Sequence, residues 1–284
     1  MFSNNEISKR VMSSAGRFQG KVVIITGASS GIGQNAAIEF GKEGGEVVIH
    51  GQDADRLSKT ESLMQQAGTP ADRILKVIGS MELNGTPAKI VNETMNKFGR
   101  IDVLINNAGG VFLPGTTNPD SLENLDYLYK ILFRSVVELT LLAVPHLEKT
   151  KGNVINIGGI LGVRSAYPIM YYTCLKSALE SFTKNCAHKY GTKGIRSNML
   201  IPGPVRTNVV RRHGKTTAEG EALQKGFENW AFQTTALKRI GQCSEMSSVL
   251  KFLASDEASF VTGDIWLADG GWTSVTTQLE FLGA

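Results

Sequence analysis

Cysteine is scarce in this sequence. The three in 284 residues, Cys174, Cys186 and Cys243, include no Cys-x-x-Cys pair, so neither a disulfide framework nor a zinc site is expected. An odd number of scattered thiols fits a reducing compartment, and a cytoplasmic location is the expectation. Long apolar runs are missing too. Nothing approaches the about 18 consecutive apolar residues of a membrane span. The segment 1–19 has no apolar stretch of the kind a secretory signal needs. Its Ser, Lys and Arg content with one acid, Glu6, has some of the character of a mitochondrial presequence, which leaves the mitochondrial matrix as an alternative; a tail is the better reading. Charge of one sign is also in short supply, at a net +4. Positive residues gather only at Arg206, Arg211, Arg212, His213 and Lys215, read as a solvated loop or a surface that draws an anion. Without a broad basic face and a reading element, nucleic-acid binding is excluded.

What is present is a soluble-type composition, 42% hydrophobic and 20% charged, enough for a large core. Short β-branched runs alternate with helical patterns. Strands are expected at Val22–Ile25, Val47–Ile49, Arg73–Ile78, Ile101–Ile105, Asn153–Ile157, Ile195–Ile201 and Asp264–Leu267. Between them the pattern predicts helices over Ile32–Gly44, Asp53–Gly68, Gly85–Phe98, Asp120–Pro145, Tyr171–Tyr190 and Ser244–Ala254. Strand–helix alternation with right-handed crossovers gives an α/β fold, a doubly wound parallel sheet of Rossmann type in one domain over 20–284. Residues 208–236 have no strand character and read as a mobile helical insertion on the substrate side.

Between the first strand and its helix stands Thr26-Gly27-Ala28-Ser29-Ser30-Gly31-Ile32-Gly33. Glycines permit a tight turn and close backbone approach, and a helix N-terminus offers free N–H groups to a pyrophosphate. A strand–turn–helix setting is what confirms such a motif as a dinucleotide cradle.

The Gly-x-x-x-Gly-x-Gly spacing resembles that of the short-chain dehydrogenase/reductase family, and the resemblance extends over Lys21–Trp272. It is carried by Asn106-Asn107-Ala108-Gly109 after the fourth strand, Tyr172-x-x-x-Lys176, Pro202-Gly203 with Thr207 after the sixth, and Asp269-Gly270-Gly271. It implies an NAD(P)-dependent oxidoreductase acting on a small carbonyl or alcohol, and a homodimer or homotetramer. The implied cofactor contacts are Thr26, Gly27, Ser29, Ser30, Gly31, Ile32 and Gly33 in the first turn. Farther along they are Gln52, Asn107, Ala108, Gly109, Tyr172, Lys176, Pro202, Gly203, Val205 and Thr207. In that family the tyrosine exchanges a proton with the carbonyl or alcohol, while the lysine holds the ribose and lowers the tyrosine pKa.

Two positions depart from the resemblance. The family's serine falls on Gly159, and its relay asparagine falls on Leu132 within Ile131-Leu132-Phe133. Either the chain is a slow or atypical oxidoreductase, or it is an impaired dinucleotide-binding member acting through a partner or as a subunit. Ser165, Tyr167 and Thr173 are weighed as substitute hydroxyls and read as structural. Tyr171, next to the candidate Tyr172, is assigned to packing or substrate contact. The cofactor type is set at Gly51-Gln52, which carries neither the acid that suits NAD nor the arginine that suits NADP; the balance favours NADP over NAD. Arg56 is weighed as a contact for the 2′-phosphate and read rather as a solvent-facing helix residue, and Ser80-Met81 stands where the family often places an adenine-side acid or Asn. Phe227, Trp230 and Phe232 read as lid packing, with the lining of a pocket for an apolar substrate as the alternative.

Overall fold

The computed structural model describes residues 16–164, 166–209 and 216–274. Seven strands form one parallel sheet: β1 (Val22–Ile25), β2 (Glu46–Gly51), β3 (Ile74–Ile78), β4 (Val103–Asn106), β5 (Asn153–Ile157), β6 (Arg196–Pro202) and β7 (Ile265–Ala268). Their order is β3-β2-β1-β4-β5-β6-β7. Every pairing is parallel, with Ile24 opposite Val48 and Leu104, and Ile157 opposite Leu200. The order reverses between β1 and β4, and this switch point opens a crevice beyond the carboxyl ends of the strands. β1, β4 and β5 are buried along their whole length, as continuous β-branched runs between two helical layers must be.

Helices α1 (Gly31–Lys42), α2 (Ala54–Gln66) and α8 (Cys243–Ala254) belong with the layer of Ile25, Ile49, Phe40 and Leu250. The opposite layer takes α3 (Thr86–Phe98), α4 (Leu122–Tyr129), α5 (Ser135–Thr150) and α6 (Met170–Tyr190), packed around Val22, Ile24, Leu104 and Val154. Helix α7 (Thr217–Thr234) lies in the segment read as an insertion and opens on a Thr216–Glu219 capping box.

The expected helix Asp120–Pro145 differs most from its outline. It begins at Leu122, passes through a π-turn at Lys130–Arg134, and continues past Pro145 to Thr150. A proline inside a helix costs about 3 kcal/mol, but α5 buries Leu139, Ala143, Val144 and Leu147, which outweighs that cost. The tail boundary also moves. Phe18 is buried, with its ring 4.6 Å from that of Phe40, and Arg17 pairs with Glu43. The chain therefore joins the core before residue 20. No helix among the described residues is long and apolar enough to cross a membrane.

Candidate functional site

The crevice is a cavity of about 490 Å³ running from the β1–α1 turn to α7. Most of the residues expected to contact a cofactor line it: Gly27, Ser29, Ser30, Gly31, Ile32, Gln52, Asn107, Ala108, Gly109, Tyr172, Lys176, Pro202, Gly203, Val205 and Thr207. Thr26 and Gly33 do not; they lie beneath the floor. The Thr26 hydroxyl accepts from the backbone N–H groups of Asn107 and Ala108, each at 2.9 Å. Asn107 Nδ2 returns a bond to the Thr26 carbonyl at 2.8 Å. The Asn-Asn-Ala-Gly segment is thus stitched onto the end of β1.

The glycines are needed for the reason their spacing suggests. Gly27 has φ of +66°, and a Cβ there would stand 2.7 Å from Ala108 Cα. A Cβ at Gly33 would meet Asn107 Nδ2 at 2.4 Å and the Gly27 carbonyl oxygen at 2.6 Å. The N-cap residue Ser30 gives α1 no side-chain cap, and the helix start borders the crevice at Ser30, Gly31 and Ile32, where helix N–H groups suit an anion. A shallow turn backed by a helix start fits a dinucleotide pyrophosphate.

At the far end of β2, Gly51 is buried under Ser29, whose Cβ would lie 3.2 Å from a Cβ at position 51. Asp53 caps α2 through the Arg56 N–H, and its other oxygen takes the Arg56 Nε–H at 2.7 Å. Arg56, read as solvent-facing, lines the cavity beside Gln52. Its side chain is 42% exposed, so it is both solvent-facing and on the cavity rim. Ser80 and Met81 line the same end, as does His50, whose Nε2 lies 3.0 Å from the Gly79 carbonyl oxygen and whose pKa burial pushes down to about 4.

Tyr172 and Lys176 stand one turn apart at the start of α6, beside the end of β5. Lys176 Nζ donates to the Ile157 carbonyl at 2.7 Å and lies 5.7 Å from the Tyr172 ring centroid. The Tyr172 hydroxyl has no hydrogen-bond partner among the described residues, although it faces the cavity. Burial pushes the Tyr172 phenol up to about 12 and the Lys176 ammonium down to about 8.

Gly159 and Leu132 both border this pair. A Cβ at Gly159 would fall 2.2 Å from the Tyr172 hydroxyl oxygen. Leu132 is buried in the π-turn, its Cδ2 3.0 Å from where a Gly109 Cβ would sit. Thr173 spends its hydroxyl on the Met170 carbonyl; Ser165 and the Tyr167 side chain lie outside what the structure describes. Tyr171 donates to the Asp120 carbonyl at 2.9 Å, tying α6 to the loop before α4. Of the basic cluster, Arg206 pairs with Glu228, and 211–215 lie outside the described residues.

Toward α7 the wall turns apolar: Phe112, Tyr127, Ile131, Leu132, Ile160, Leu161, Ile169, Phe227 and Trp230. Phe227 stacks on Trp230, which abuts Trp272. Phe232, grouped with them in the sequence, is 60% exposed and is not part of the wall. Phe112, Ile160 and Ile169 come from loops and short turns whose side chains carry no periodic signal in the sequence.

Comparison with known proteins agrees with this geometry. Residues 27–273 match the family described as Enoyl-(Acyl carrier protein) reductase. The chain is 33% identical over 262 residues to meso-2,3-butanediol dehydrogenase of Serratia marcescens, covering 92% of this chain and 98% of that one. A short-chain dehydrogenase/reductase of unknown function from Caenorhabditis elegans, solved with cofactor, superposes with a TM-score of 0.85 at 31% identity, over 92% of this chain and 97% of that one. L-sorbose reductase of Gluconobacter frateurii, solved with NADPH and L-sorbose, gives 0.82 at 28% identity, over 93% and 100%. Relatives named as dehydrogenases and reductases favour an enzyme over a binding subunit. The chain is a member of the short-chain dehydrogenase/reductase family, an oxidoreductase with a nicotinamide-cofactor fold.

Proposed function

We propose that this enzyme interconverts an apolar carbonyl and its alcohol with NADP, at a turnover lowered by Gly159 and Leu132. One observation carries the reading: the Tyr172 hydroxyl, which makes no hydrogen bond among the described residues, faces the cavity one turn from Lys176. The nicotinamide, when bound, supplies or accepts hydride at the reacting carbon. The protein's part is the proton. Tyr172 gives it to the carbonyl oxygen during reduction and takes it back from the alcohol during oxidation. A phenol held near 12 is a poor base at neutral pH. Positive charge near the ring favours the phenolate, and Lys176 carries it whenever its ammonium is protonated.

Gly159 offers the developing oxyanion no hydroxyl. Losing one such donor costs on the order of 10²–10³ in rate, about 3–4 kcal/mol. Leu132 puts a methyl group where the resemblance expects a relay amide, so the reading is of a slow enzyme. The wall from Phe112 to Trp230 leaves few groups to satisfy the hydroxyls of a sugar or short diol, whose desolvation would go unpaid. This separates the chain's substrate from the diol and the sugar named for two of its relatives.

NADP is favoured because Gly51 sets no carboxylate against a 2′-phosphate and Arg56 lines that end of the cavity. Self-association through the long helices belongs to the same reading, with Leu141 and Leu142 of α5 exposed, as does a cytoplasmic location for three free thiols. The test is NADPH and NADH oxidation against a panel of medium-chain and aromatic ketones and aldehydes, with sugars and short diols for comparison. Turnover confined to apolar members with NADPH supports the reading. Nucleotide binding without turnover of any member would favour the impaired-subunit alternative.

A further inference from the structure

Two glycines bring the turn after β5 onto α6. A Cβ at Gly159 would stand 2.2 Å from the Tyr172 hydroxyl oxygen and 3.1 Å from ring Cζ. One at Gly162 would stand 2.8 Å from Lys176 Cβ. Between them, the turn Ile160–Gly162 lies at backbone depth against the helix, fastened by the Ser177 hydroxyl on the Gly162 carbonyl at 2.7 Å. The Ile157 carbonyl fastens Lys176 from the strand side. Gly159 itself is extended, at φ of −165° and ψ of 135°, a conformation open to any residue. Glycine is therefore not demanded there by the backbone. What it supplies is room.

We infer that Gly159 is a positioning residue for Tyr172: the space left by its missing side chain is the seat of the catalytic hydroxyl. This rests on the reading of Tyr172 as the proton-transferring group. Position 159 has then not merely lost a serine. The tyrosine hydroxyl occupies the place that a side chain would take, closer to the end of β5, and the substrate oxygen must approach it there. Contacts of a Cβ under 3.0 Å essentially never occur, so any side chain at 159 pushes the hydroxyl out by about 1 Å. Misplacement on that scale costs about a hundredfold in rate. Restoring the serine therefore adds a donor but removes the seat.

The test uses the full-length wild type, Gly159→Ala, Gly159→Ser and Tyr172→Phe. Turnover of an apolar ketone, its pH profile, NADPH affinity by fluorescence and crystal structures of wild type and Gly159→Ala are measured together. The expected result is a kcat about a hundredfold lower in both Gly159 variants, with NADPH affinity within about twofold of wild type. In Gly159→Ala the hydroxyl is displaced toward the cavity, and the pH limb due to Tyr172 moves down because its burial is relieved. A Gly159 variant as fast as wild type, or a hydroxyl that stays in place, overturns the inference. If wild type has no turnover, or Tyr172→Phe matches it, the proposed function falls, while the hydroxyl position in the two crystal structures still decides the role of Gly159.

Discussion

Lys176 donates its ammonium to the carbonyl of Ile157 across 2.7 Å, fastening the start of α6 to the last residue of β5. This bond and the turn beneath it hold a cation in a place where burial opposes its charge.

That opposition predicts a trade between stability and function. The folded pKa of Lys176, about 8, lies below its ordinary 10.5. Below pH 8 the charge is buried in the folded protein and free in the unfolded one, so the residue destabilises. Between pH 8 and 10.5 the unfolded chain holds the extra proton, and stability rises with pH. Lys176→Met should therefore be more stable at pH 7 by about 1–2 kcal/mol, after allowing for the lost bond to Ile157. The gap should close as pH rises to 10.5. Denaturant unfolding at pH 7, 9 and 10 measures this; a less stable variant at pH 7 would refute it.

Arg56 should set the cofactor preference. Its Nε is held by Asp53 and its position borders the cavity. Arg56→Gln is expected to weaken NADPH binding about tenfold and leave NADH within about twofold, since only the 2′-phosphate is at stake. Asp53→Asn should tighten NADPH by removing a competing carboxylate. Fluorescence titration at low and moderate salt reads both, and equal losses for NADH and NADPH would count against the assignment.

Leu132 predicts that a simple reversion fails. The side chain is 1% exposed and close against Gly109. Leu132→Asn would bury an amide without partners in an apolar setting, costing about 2–4 kcal/mol. We expect a lower Tm and no gain in kcat; a gain would mean that the π-turn still admits a relay water.

The start of the fold is testable at Phe18. Its burial against Phe40 predicts that Phe18→Ala costs about 3–4 kcal/mol. Thermal unfolding within a degree of wild type would place this residue outside the core.

Much of this was legible in the sequence because the signals were local. Val22–Ile25 and Asn153–Ile157 were outlined to the residue, since a fully buried parallel strand is a bounded β-branched run. The phosphate turn was legible because its glycines act on neighbours within one loop. Pro145 misled because a local rule was outweighed by tertiary burial of α5. Phe18 was hidden for the same reason: its partner, Phe40, lies on the next helix. At the site, the absence of a serine at 159 was readable, but not what fills the space. That depends on how closely a turn lies on α6, which no spacing encodes. Arg56 faces solvent as its helix position implies, at 42% exposure, and the bond to Asp53 that also lays it along the crevice rim is not encoded in spacing.

In the proposed reaction Tyr172 carries the proton while NADPH supplies the hydride. The most direct measurement is kcat of wild type against Tyr172→Phe on the best apolar carbonyl, with NADPH affinity measured in parallel. The expected result is a loss of at least about a hundredfold in kcat, with NADPH affinity retained. Equal turnover in the two proteins would contradict it.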